Sequence, residues 1–180
     1  MIARLAFIET PRLIMREMLP LDAPDFFALN SDTDVIKYTG DDPFHSVEDC
    51  REFLENYPLH TYEKCGYGRW TCLLKESEEN LGWCGIRLQD DEQVDLGYRF
   101  HKRFWNAGLA TEASFASLKL AFDIFRLREV YARANQDNPA SVRVMQKTGM
   151  EFLKKTQSDV FYSIDKKNFI CPFEVKVYLK

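Results

Sequence analysis

The chain has 180 residues, 24 Lys+Arg against 28 Asp+Glu, a net charge of −4 and a pI near 5.5, the size of one domain (1–180) whose core needs no metal or disulfide staple. The mild acidity excludes the broadly basic footprint on which nucleic-acid and anionic-membrane binders rely. With 46% hydrophobic and 14% aromatic residues, the composition is that of a folded chain rather than a disordered one.

In chain order, the alternation Arg12-Leu13-Ile14-Met15-Arg16 after the Thr10-Pro11 break predicts a first strand. Leu21-Asp22-Ala23-Pro24 offers an Asp N-cap and a first-turn proline for a short helix that buries Phe26, Phe27 and Leu29. A second helix is expected from Ser46, with Asp49 three residues on as a loose capping box. Its apolar positions Val47, Cys50, Phe53, Leu54 and Tyr57 repeat at helical spacing until Pro58 stops it. From Tyr67 to Phe100 the pattern becomes an antiparallel meander: Trp70 to Leu74, Leu81 to Leu88 and Val94 to Phe100, with acidic turns between. Helical spacing returns at Ala110, Ala113, Leu118, Ala121, Phe122 and Phe125, about four turns. Val130, Ala132 and Ala134 alternate as the next strand, and Asn138-Pro139 opens a helix that closes at Gly149. Val160 to Ile164 and the alternating Phe173, Val175, Val177 and Leu179 are expected to form a closing strand pair.

The opening Met1 to Glu9 is too short and too soon interrupted for a signal-peptide core, and no run approaches about 18 apolar residues, so a cytoplasmic location is expected. The five cysteines (Cys50, Cys65, Cys72, Cys84, Cys171) are odd in number and form no CxxC pair. That pattern fits reduced core thiols better than a disulfide framework or a zinc site. His45, His60 and His101 show no metal-ligand spacing, and no metal is expected.

The segment Phe104-Trp105-Asn106-Ala107-Gly108-Leu109-Ala110-Thr111-Glu112-Ala113 lies where a strand hands over to a long helix. Such a turn leaves backbone N–H groups unpaired at the positive end of the helix, and Gly108 and Ala110 leave room for an approaching diphosphate. It lacks the Lys-Ser/Thr ending of a P-loop and the full G-x-G-x-x-G fingerprint. An ordinary strand-to-helix turn, with Gly for conformation and Ala for packing, accounts for the same residues.

Taken with Asp95-Leu96-Gly97-Tyr98-Arg99-Phe100 and the run from Asn138 to Met150, this segment resembles the GNAT family of acyl-CoA-dependent N-acetyltransferases. The opening Glu9-Thr10-Pro11-Arg12-Leu13-Ile14-Met15-Arg16 and the strand Gly82-Trp83-Cys84-Gly85 are similar to its ribosomal-protein-alanine N-acetyltransferase (Rim-type) branch. The landmarks cover residues 9–153 in the order the family shows. The resemblance implies an α/β (α+β) fold: a central, bent, mostly antiparallel mixed sheet with flanking helices and a splayed strand pair at the cofactor site. It also implies acetyl-CoA as co-substrate and transfer to a primary amine, of a protein N-terminus or a small molecule, by direct attack in a ternary complex. Position by position, the backbone of Tyr98, Arg99 and Phe100 would follow the pantetheine arm. The turn of Trp105, Asn106, Ala107, Gly108, Leu109, Ala110 and Thr111 would hold the diphosphate. Trp105 stands where the family usually has Gln or Arg, and Asn106 where Gly is common in this branch. Asn138 and Lys147 would also touch the cofactor, although an N-cap explains the first and the helix dipole the second.

The same likeness makes Asp95 the general base, acting directly or through a water, and one methylene shorter than the family's usual Glu. A solvated strand-edge acid is the alternative. Met145 stands at the position of the family's proton-donating Tyr, and Ser141, one turn earlier, would donate a hydrogen bond to the departing sulfur. The Phe100 N–H would polarise the thioester carbonyl. Tyr38, Trp70, Trp83 and Tyr98 are either core residues or the lining of an acceptor pocket, and His101 either modulates the site or is a loop histidine. Met145 keeps open a second reading, a catalytically silent acyl-CoA-binding sensor or partner-binding module. A homodimer is carried by the resemblance alone.

Overall fold

The structure is a computed structural model that describes residues 5–179, the side chains of residues 58–60 excepted; the His60 imidazole and the first four residues of the opening segment lie outside it. The strands are β1 (Leu5–Glu9), β2 (Leu13–Glu17), β3 (Arg69–Leu74), β4 (Asn80–Leu88), β5 (Val94–Phe100), β6 (Glu129–Asn135), β7 (Glu151–Lys155), β8 (Asp159–Asp165) and β9 (Lys176–Leu179). They lie in one sheet in the order β7-β8-β6-β5-β4-β3-β2-β1-β9. All pairings are antiparallel except that of β5 with β6, which run parallel and are bridged at Asp95 and Tyr131 alone. A sheet held together at its middle by one bridge opens beyond it, and this opening positions the site.

The helices are α1 (Ala23–Ser31), α2 (Thr33–Ile36), α3 (Val47–His60), α4 (Tyr62–Cys65), α5 (Leu109–Asp123) and α6 (Pro139–Lys147). Strand alternation sends Cys84 and Tyr98 to the face covered by α5 and α6, where they meet Ser117 and Ser141. The intervening positions Trp83, Gly85, Gly97 and Arg99 face the side of α1, where Arg99 reaches Asn30. Helix α5 buries Leu109, Ala113, Ala116, Leu118, Leu120, Ala121 and Phe122, and its small residues let it lie close on the sheet.

Ser46 caps α3 as expected, accepting from the Asp49 N–H at 3.1 Å, a contribution of about 1 kcal/mol. Pro58 does not stop this helix, which runs on to His60. The buried Leu54 and Tyr57 anchor its last turns, and the Thr61 hydroxyl donates to the Tyr57 carbonyl at 2.7 Å, so tertiary packing overrides the lost proline N–H. Asp22 precedes α1 but makes no side-chain cap. Its carboxylate, 4% exposed, instead accepts from Arg16, Thr71 and the Leu19 N–H. Those bonds already satisfy it and tie β2 and β3 to the start of α1.

The closing strand pair is not formed. β8 lies between β6 and β7, whereas β9 pairs with β1 at the opposite edge of the sheet. Alternation assigns the faces of a strand and says nothing of its partner. All five thiols are free, with Cys50, Cys72 and Cys84 buried. Burial pushes the Cys84 thiol up to about 11, against the opposing pull of Ser117 and Ser114. Among the described residues no helix is long and apolar enough to cross a membrane.

Candidate active site

β5 is fully laddered to β4, from Phe100 opposite Gly82 to Val94 opposite Leu88, but meets β6 only at Asp95. The His101 N–H donates to the Leu81 carbonyl at 2.9 Å. Antiparallel alternation then turns the backbone groups of Arg99 toward β4 and those of Tyr98 and Phe100 toward the opening. A cleft of about 1390 Å³ occupies that opening and reaches from the Trp105–Thr111 turn past β5 to α1 and α6. Of the residues expected at the site, Asp95, Tyr98, Arg99, Phe100, Trp105, Asn106, Gly108, Leu109, Ala110, Thr111, Asn138, Ser141 and Lys147 line it. Ala107 turns away and gives its carbonyl to Arg12 at 2.9 Å.

The turn is built from two left-handed residues, Asn106 (φ 61°) and Gly108 (φ 76°). Asn is among the few side-chain-bearing residues that adopt this region readily, which accounts for its standing where Gly is common. Gly108 accepts the first helical bond, from the Glu112 N–H at 3.0 Å. The N–H groups of Leu109, Ala110 and Thr111 therefore have no helical partner and sit at the positive end of α5. Trp105 donates its indole N–H to the Phe100 carbonyl at 2.8 Å, so at Phe100 that cleft-facing acceptor is already engaged while the N–H stays free of the β4 ladder. Asn138 does cap α6, its Oδ1 accepting from the Ser141 N–H at 3.1 Å. The oxygen takes the cap, and the amide NH₂ remains for a ligand.

Asp95 is held rather than loose. Both of its oxygens accept from Arg69 Nη2, at 3.0 and 2.8 Å, and Oδ1 also accepts from Gln89. Arg69 reaches it from two strands away because its register partners are Gly85 and then Gly97. A Cβ on Gly97 would collide with the guanidinium, so the two glycines form a trough across the sheet. The Arg69 and Arg99 guanidiniums lie 4.9 and 5.5 Å from the Trp83 ring centroid, and Arg99 bonds Asn30 and Asp41. Neither Arg69 nor Gln89 was singled out in the sequence; the only signal for them is the register of Arg69 with two glycines, which a linear pattern does not display.

The structure separates the four aromatics. Tyr38, Trp83 and Tyr98 line the cleft, whereas Trp70 is 1% exposed and stacks on Phe125 in the core. The Tyr98 hydroxyl lies 2.8 Å from Ser141 Oγ and 2.9 Å from the Ser141 carbonyl. Burial holds this phenol well above its ordinary range, with the Ser141 bond opposing. Met145 is fully buried at the cleft wall. Among the described residues no group of three or more His, Cys, Asp and Glu could hold a metal ion.

His101 is buried, and its Nε2 has no partner. Burial, followed by the Arg103 charge, lowers its pKa below the ordinary 6.5. The unfolded chain therefore takes up this proton first on acidification. Its contribution to stability is full above about pH 6.5 and declines as the pH falls below it. Thermal midpoints of the wild type and His101→Gln across about pH 5 to 7.5 should show a shallower acid-side decline in the variant; identical slopes would remove His101 from that role.

Residues 12–151 match the model of the acetyltransferase (GNAT) domain family. The uncharacterized N-acetyltransferase YoaA of Bacillus subtilis is 28% identical over 146 residues, 80% of this chain and 82% of its own. Among solved structures, a GNAT-family acetyltransferase from Bacillus anthracis superposes with a TM-score of 0.75 at 26% identity, covering 89% of this chain and 99% of that one. A spermidine N-acetyltransferase from Vibrio cholerae, solved with CoA and spermine, shares the fold at a TM-score of 0.75 and 16% identity, covering 88% of this chain and 98% of that one. The matched segment begins at Arg12 beside the turn and contains the opened β5 edge, the N-terminus of α5 and all of α6; the chain belongs to the GNAT acetyltransferase family and is an N-acetyltransferase.

Proposed function

We propose that this chain, acting as one domain of the Rim-type branch, transfers acetyl from acetyl-CoA to a primary amine, of a protein N-terminus or a small molecule, by direct attack in a ternary complex. The observation that supports this most is the coincidence of two unsatisfied backbone surfaces in one cleft: the β5 edge beyond Asp95 and the N-terminus of α5. Pantetheine carries two amides and can pair with the first as an added strand, while a diphosphate suits the second. Acetyl-CoA would supply there the thioester whose acyl carbon accepts the amine.

The course of β5 supports a role for several residues along it. Phe100 adjoins the turn, so an arm lying along β5 from a diphosphate on that turn ends toward Asp95. The oxyanion donor nearest that end is the Tyr98 N–H, in place of the Phe100 N–H. Asp95 receives the amine proton, through one water, on the face of Arg69 and Trp83. An α-amino group, with a pKa near 8, needs only a modest base. Ser141, tethered to Tyr98 on the other face, donates a hydrogen bond to the sulfur as the C–S bond breaks and the N–C bond forms. Thiols ionise near pH 8.5, so a hydrogen bond can serve in place of a Tyr acid.

The test is thiol release from acetyl-CoA with a panel of N-terminal peptides, amino acids and polyamines, with mass spectrometry of the acceptor. A gain of one acetyl group on a primary amine, stoichiometric with thiol, supports the reading. Saturable acetyl-CoA binding without transfer to any amine would favour the silent sensor instead.

A further inference from the structure

Beside the turn, the buried Thr10 and Glu112 and the exposed Arg12 form a cluster that joins the loop between β1 and β2 to the first turn of α5. Glu112 is 6% exposed. Its Oε1 accepts from the Thr10 hydroxyl at 2.6 Å and the Arg12 N–H at 2.8 Å, and its Oε2 accepts from Arg12 Nε at 2.6 Å. Arg12 continues past Glu112 and donates from Nη1 to the Ala107 carbonyl at 2.9 Å. Its Nη2 lies about 3.6 Å from where a Cβ on Gly108 would sit. One guanidinium thus spans residues 107 and 112, the two ends of the segment whose free N–H groups face the cleft.

Glu112 by itself would oppose anion binding. A buried carboxylate in the first turn of α5 spends the positive end of the helix on itself and repels a second anion placed there. Arg12 removes that conflict by pairing with it, and its fixed fork also holds the Ala107 carbonyl turned away from the cleft. We propose that Arg12 is a positioning residue for the cofactor: it neutralises Glu112 and pins Ala107, so that the donors of Leu109, Ala110 and Thr111 are free for a diphosphate. This rests on the reading of the turn as the diphosphate site. Arg12 does not line the cleft and acts through the turn.

The experiment compares acetyl-CoA with S-acetylpantetheine, which carries the same thioester and lacks the diphosphate, as donors for wild type, Arg12→Gln and Arg12→Gln/Glu112→Gln. Arg12→Gln should raise KM for acetyl-CoA about tenfold with kcat changed less than about twofold, and leave kcat/KM for S-acetylpantetheine as it was. The double variant, which removes the exposed guanidinium together with the buried carboxylate it pairs with and guards against misfolding of the single one, should recover most of the lost acetyl-CoA affinity. Equal losses with both donors, no loss with either, or a double variant no better than the single one would overturn the proposal. Failure of the underlying reading has a separate signature: a wild type that does not prefer acetyl-CoA over S-acetylpantetheine.

Discussion

Asp95→Asn is expected to lower kcat by about 10²- to 10³-fold at neutral pH, the usual worth of a positioned general base, with the acetyl-CoA KM little changed. The side chain sits where β5 leaves β6, its two oxygens oriented by Arg69. An ionised carboxylate offers about four lone-pair sites, and Arg69 and Gln89 take three of them, which leaves one for a water shared with the amine. Asn keeps an acceptor for Arg69 but cannot take the proton. Activity of the variant should therefore rise with pH through the acceptor amine's own titration, near pH 8 for an α-amino group, because only pre-deprotonated amine reacts. A merely structural counter-ion for Arg69 would give a different result: a lower thermal midpoint, a kcat within about threefold of wild type, and an unaltered pH profile.

Gly82→Ala should destabilise the fold by about 3 kcal/mol or more, among the largest losses for a single methyl group. Gly82 has φ +124°, a conformation that L side chains rarely adopt, and an added Cβ would collide with the Arg99 carbonyl and crowd Phe100. The β3–β4 register shifts by one residue at this point. The bulge brings the β4 backbone against the end of β5 opposite Phe100. No side-chain rotation relieves a backbone clash, so the variant must part β4 from β5 beside the cleft. Urea unfolding of the purified variant checks this; a midpoint within about 0.3 M of wild type would mean that the strands tolerate the displacement.

Much of the site was legible because it is local in sequence. The turn from Trp105 to Thr111, the cap at Asn138 and the meander through Phe100 each announce themselves within a dozen residues, and the structure places them around one cleft. The sheet order was not legible, since β5 and β6 are joined across α5 and β9 returns to β1. The strand β7 is solvent-exposed along its length and shows no alternation to read. Arg69 and Arg12 were missed as site residues for the same reason: each acts on a carboxylate far along the chain, Asp95 and Glu112, through pairings that only register or tertiary contact reveals. Asp22 and Pro58 show the converse, local signals overruled by buried partners.

In the proposed reaction the opened β5 edge and the N-terminus of α5 together bind acetyl-CoA. Calorimetric titration of the purified protein with acetyl-CoA, run beside ATP as a phosphate-bearing control, tests it most directly. Saturable binding of acetyl-CoA at about 10 μM or tighter, with no comparable heat from ATP, is the expected result. No binding at millimolar acetyl-CoA, or equal binding of both ligands, would contradict it.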